Sequence, residues 1–124
     1  MKAIRVREFG PPSVMKTEDV PDPQAGARQL VIAVKAAGVN PVDTYIRAGT
    51  YAKKPLLPYT PGFDAAGIVE SAGPEVRRFK PGDRVYINHN LSGAYAEKTL
   101  CDEESVFALP DRLSFGQGAG VWVP

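Results

Sequence analysis

The sequence predicts a single, mainly β domain, and three observations carry that prediction. Its 124 residues fit one domain on ordinary size grounds. A chain of that length buries roughly two-thirds of its unfolded surface, enough for a core without disulfides or metal. Twelve prolines and twelve glycines fall between short apolar runs instead of in one tract, which is the punctuation of short strands and turns.

Residues 2–9 alternate, with Ile4 and Val6 on one face and Arg5 and Arg7 on the other, and Gly10-Pro11-Pro12 ends them. Residues 14–20 read as a second strand pairing back on the first, stopped by Pro21-Asp22-Pro23, with a turn at 25–28. Residues 30–37, LVIAVKAA, are nearly continuous in apolar side chains and so are expected to be buried on both faces. Pro41–Ala48 reads as a helix of about two turns. Asn40 is a favoured N-cap, Pro41 suits the first helical position, Asp43 lies near the positive dipole end, and Gly49 fits a left-handed close.

Residues 51–63 form a long proline-marked loop. Ala65–Ala72 is the next strand, where Gly67 signals a bulge or a close backbone approach. Phe79-Lys80-Pro81-Gly82-Asp83 is a turn. Strands are expected at 84–87, 94–100 and 106–109, the first two separated by the polar loop 88–93. Ser114 followed by Gln117 is a capping-box pattern announcing a helix. The apolar run Gly120-Val121-Trp122-Val123-Pro124 is read as the cut start of a connecting helix in a longer protein. A terminus tucked onto the domain's own surface is the alternative.

Composition excludes several classes. Lysine and arginine total 15 against 14 acidic residues, so no phosphate-backbone footprint is expected and nucleic acid is an unlikely partner. Charges interrupt MKAIRVREF at once, unlike a signal peptide or a membrane span. The lone Cys101 forms no intrachain disulfide and fits a reducing compartment.

Zinc requires three or four clustered thiolate, imidazole or carboxylate ligands, whereas this chain has one cysteine and one histidine and no metal motif. His89 reads as a solvated loop residue and Cys101 as a small core residue. Gly116, Gly118 and Gly120 imitate a dinucleotide loop, but the spacing and the acidic partner are missing.

The remaining candidates are Asn40, Asp43, Tyr45 and Tyr51. Cap and dipole roles explain Asn40 and Asp43. Ring packing would explain Tyr45, and loop anchoring Tyr51. Against that, an amide and two phenols near one helix are neutral hydrogen-bond donors suited to a carbonyl oxygen.

The motifs NPVDTYIRAGTY, KPLLPYTPGFDAAGIVESAGPEV, FKPGDRVY and GAYAEK, in this order, resemble the N-terminal domain of zeta-crystallin-type quinone oxidoreductases, in the medium-chain dehydrogenase/reductase superfamily. The resemblance runs from KAIRVREFGPPSVM to GVWVP and implies a GroES-like β-barrel. It further implies a cytoplasmic enzyme whose missing C-terminal Rossmann domain binds NADPH, with the active site between the two domains. Residues 1–113 would be the catalytic domain and 114–124 the start of the connecting segment.

Zinc alcohol dehydrogenases of the same superfamily carry a ligating Cys where Asn40 stands and a His-Glu pair where Phe63-Asp64 stands. The resemblance is thus to the zinc-independent branch, in which hydrogen bonds replace a Lewis acid. By similarity, Asn40 faces the cofactor, while Tyr45 and Tyr51 orient a quinone carbonyl. Phenols titrate near 10 and donate at neutral pH without changing charge. Ile46, Leu56 and Phe63 could form an apolar wall. NADPH-dependent quinone reduction is therefore expected, with the isolated chain inactive. Reduction of enones or enoyl thioesters, and a non-catalytic, crystallin-like module, are the alternatives. Homo-oligomerisation through the apolar C-terminal segment is also expected.

Overall fold

A computed structural model describes residues 1–122. Among the described residues seven strands run in the order β1 (Lys2–Val6), β2 (Met15–Asp19), β3 (Gln29–Ala37), β4 (Ala65–Ala72), β5 (Arg84–Ile87), β6 (Lys98–Asp102) and β7 (Val106–Ala108). Helix α1 (Pro41–Ala48) connects β3 to β4, and the single turn α2 (Phe115–Gly118) follows β7. Among the described residues no helix is long and apolar enough to cross a membrane.

Five strands form an antiparallel sheet in the order β6-β3-β4-β5-β7, and β1 and β2 form a hairpin. Main-chain bonds stitch the two together. Ile4 donates to the Tyr95 carbonyl, Glu97 to that of Lys2, and Val34 to that of Glu97. The hairpin therefore continues the larger sheet past β6, curling it towards a barrel. Its core is built from Leu30, Ile32, Val69, Val85, Ile87, Cys101 and Val106. A second cluster, Ala66, Leu109 and Ala119 with Phe115 and Tyr86 against it, fixes α2 on the sheet.

Gly67 does what its place in the strand suggested. A Cβ there would lie 2.0 Å from the Ala33 carbonyl oxygen, and the β3–β4 register shifts at 31/32 and again at 34/36. Only Leu30, Val31 and Ile32 of β3 are buried. The second half of that strand opens towards the surface, so burial on both faces holds for half the run.

Other boundaries move for physical reasons. The first strand stops at Val6, which pairs with Met15, the first residue of β2; the exposed Arg7 side chain beyond it pairs with Glu18 at 2.7 Å. A 3-10 turn at Pro12–Val14 delays β2 to Met15. The strand expected at 94–100 becomes β6 at Lys98–Asp102, since residues 95–97 divide their main-chain groups among β1, Pro61 and Val34, and Cys101 is taken up opposite Leu30. The Ser114 box forms as expected, with Gln117 N–H donating to Ser114 Oγ at 3.1 Å, but it starts one turn only. Residues 123 and 124 of the expected connecting segment lie outside the described residues.

Candidate functional site

Helix α1 forms where its caps direct. Asn40 is extended (φ −119°, ψ 154°), and Asp43 reaches back to the Asn40 N–H at 2.8 Å. Gly49, at φ 81°, closes the helix in the left-handed region that only glycine enters cheaply. Arg47 ties the far end to the loop after β1, donating through Nε to the Gly10 carbonyl at 3.2 Å and accepting the Gly10 N–H at 2.9 Å.

At the other end of α1 lies a polar network that joins residues far apart in sequence. The Asn40 amide nitrogen donates to Asp64 Oδ2 at 3.0 Å. The Tyr95 hydroxyl donates to Asp43 Oδ2 at 3.1 Å. Both carboxylates are buried, Asp43 at 5% exposure and Asp64 at 2%. Burial holds the Asp43 carboxyl above its ordinary range, with the Asp64 charge adding to it, while the Asn40 N–H and Tyr95 O–H bonds pull the other way. Burial, and then the Asp43 charge, likewise raise the Tyr95 phenol.

Asn90 braces this corner from the 88–93 loop. Its amide donates to the Gly62 and Phe63 carbonyls, and its Oδ1 accepts the Gly93 N–H. Nothing local in the sequence marks Asp64, Tyr95 or Asn90. The available signal was a polar residue set inside an apolar stretch, as Asp64 is between Phe63 and Ala65-Ala66.

Asn40 borders a cleft of about 390 Å³ lined by residues 36–40 of the β3–α1 junction and by Gly116, Ala119 and Gly120. Its walls are small side chains and main chain. Gly38 is the tightest point: a Cβ there would lie 2.5 Å from the Ala119 carbonyl oxygen and 2.9 Å from Asp64 Cβ.

Tyr45 (53% exposed) and Tyr51 (41%) lie on the surface beyond the cleft lining. At 100° per residue, Tyr45 leaves α1 roughly 140° around from Asn40, so the helix alone does not aim them at one point. Tyr51 follows the Gly49 cap. Of the expected apolar wall, Leu56 is exposed, whereas Ile46 and Phe63 are half-buried. His89 is exposed and Cys101 is buried, its thiol pushed up to about 12 by burial and the neighbouring Asp102 charge. Among the described residues no three His, Cys, Asp or Glu side chains are grouped to hold a metal ion.

Residues 26–111 match the alcohol dehydrogenase GroES-like domain. The chain belongs to that family. This GroES-like domain is 55% identical over its whole length to quinone oxidoreductase of Sus scrofa, of which it spans 38%. Among solved structures, it superposes on Pseudomonas syringae quinone oxidoreductase with a TM-score of 0.92 at 38% identity, covering 98% of this chain and 37% of that one. Against Escherichia coli quinone oxidoreductase complexed with NADPH the TM-score is 0.93 at 33% identity, again covering 98% and 37%. The GroES-like domain thus corresponds to the N-terminal part of quinone oxidoreductases of the medium-chain dehydrogenase/reductase superfamily, as the sequence motifs implied.

Proposed function

We propose that this chain is the catalytic-domain portion of a zinc-independent, NADPH-dependent quinone reductase and has little or no turnover alone. The observation that carries the reading is the likeness, along the whole of this chain, to 38% of a quinone oxidoreductase. In support, Asn40 borders a cleft of small side chains and main chain, and two exposed tyrosines lie on and just after the helix that Asn40 begins. Residues 1–113 would supply the catalytic surface, and 114–124 would begin the connection to a Rossmann domain.

The donor set suits one end of the cofactor. Ala36, Ala37, Gly38, Ala119 and Gly120 leave room for a flat ring to approach main chain, and Asn40 offers it an amide. No lysine or arginine lines the cleft, so its lining fits the nicotinamide end and leaves the phosphates to another surface. When bound, NADPH supplies the hydride. Asn40 orients its ring, and Tyr45 and Tyr51 donate to a quinone carbonyl, polarising it where a metal would otherwise serve. An amide at position 40 and a phenyl ring at position 63 are poor zinc ligands, which agrees with this division of labour.

The test is NADPH oxidation with a simple benzoquinone. These 124 residues are expected to show only background. A chain continued through a cofactor domain should turn over, and Tyr45→Phe or Tyr51→Phe should lower its rate roughly tenfold or more while leaving its melting temperature unchanged. Robust turnover by this chain alone would overturn the need for a second domain. No quinone turnover by the longer chain would overturn the substrate. A homo-oligomer through the exposed Val121 and Trp122 belongs to the same proposal and is checked by light scattering.

A further inference from the structure

Helix α1 is capped without Asp64, since Asp43 already takes the Asn40 main-chain N–H. The contact between Asp64 and the Asn40 side chain therefore calls for another reason. We propose that Asp64 is a positioning residue, a buried carboxylate that fixes which way the Asn40 carboxamide faces at the lip of the cleft. The functional half of this inference rests on the cofactor reading above.

A carboxylate only accepts hydrogen bonds. The end of the Asn40 amide 3.0 Å from Asp64 Oδ2 must then be its –NH2. An amide is otherwise free to flip by half a turn, but here the flipped form would set a carbonyl oxygen against an anion. Asp64 itself has little freedom to follow. It is 2% exposed, its main-chain carbonyl takes the Gly38 N–H at 2.9 Å, and its Cβ faces Gly38, which is backed by the Ala119 carbonyl.

Asn40 is thus held twice, at its main chain by Asp43 and at its side chain by Asp64. One amide hydrogen is committed inward. Its carbonyl oxygen lies on the side of the Asp43 main-chain N–H, and its second N–H is left in a fixed direction, a donor for the carbonyl of a ligand's own carboxamide.

The experiment is side-chain amide NMR on the ¹⁵N-labelled chain. In the unaltered protein, one Asn40 amide hydrogen should be shifted downfield and exchange with water at least tenfold more slowly than an exposed amide. Exchange at the exposed rate would overturn the proposal without any variant. Asp64→Ala should return the shifted resonance to the range of exposed asparagine amides and abolish the protection. Asp64→Asn, which keeps an acceptor oxygen, should retain both in part. Resonances unchanged in Asp64→Ala would overturn the proposal.

Nicotinamide is then added as a probe. It should move the Asn40 resonances and bind Asp64→Ala roughly tenfold more weakly. Equal affinity for both proteins would overturn the positioning role. No response from either would overturn the cofactor reading, and amide exchange would still decide the Asp64 contact.

Discussion

Replacing Gly38 by alanine adds one methyl group at the point where α2, β4 and the cleft converge. That carbon would stand 2.5 Å from the Ala119 carbonyl oxygen and 2.9 Å from Asp64 Cβ. Neither neighbour can step aside as a flexible side-chain tip would: one is main chain and the other belongs to a residue 2% exposed. Overpacking of this kind costs about 1–3 kcal/mol. For a chain of this size each kcal/mol lowers the melting temperature by about 3–6 °C, so Gly38→Ala should melt roughly 3–18 °C lower.

Gly116→Ala is the matched control. It lies in α2, and an added carbon would come no closer than 3.8 Å to Ser114 Oγ. It should be neutral, or more stable by up to about 1 kcal/mol. Thermal unfolding followed by circular dichroism, repeated in urea, reads both. If Gly38→Ala melts with or above Gly116→Ala, the wedge described here is wrong.

Asp43 gives a pH signature. Its folded carboxyl titrates above the unfolded value because of burial, so the folded state binds the proton more tightly. The resulting stabilisation is present below the unfolded value of about 3.9 and is lost as pH rises through the folded one. Urea midpoints for Asp43→Asn should lack that component, and identical pH profiles for the two proteins would contradict it. Tyr95→Phe removes a donor to the Asp43 carboxylate and should cost about 1.5–3 kcal/mol in urea unfolding; a loss below ~0.5 kcal/mol would remove that bond from the account. Cys101 should resist an aromatic disulfide reagent at neutral pH until urea unfolds the chain, because its thiol is buried and pushed up to about 12.

What the sequence revealed, and what it concealed, divides by distance along the chain. Asn40, Pro41, Asp43 and Gly49 announce α1 by local chemistry, and each takes the place that chemistry dictates. The turn at Gly82, with φ 96°, is legible for the same reason. The partners of the site are not, since Asn40 meets Asp64 across 24 positions and Asp43 meets Tyr95 across 52. No periodicity encodes such meetings; they follow from strand order. Strand ends depart from the sequence pattern where the pairing partner runs out, as β2 does opposite Val6, or where main-chain groups find several partners, as those of residues 95–97 do in β1, Pro61 and Val34. Motif resemblance supplied the family, which burial patterns alone would have left at the level of a β domain.

The cleft is walled largely by backbone and by the smallest side chains, and this bears on how such a domain can diversify. Point mutations alter side chains, and here there are few to trim and, at Gly38, no space to enlarge one. Changes in ligand preference are therefore channelled outward to the solvent-facing positions, where Tyr45, Tyr51 and Leu56 can be exchanged with little penalty in folding. A scaffold of this kind keeps its floor constant and varies its fringe.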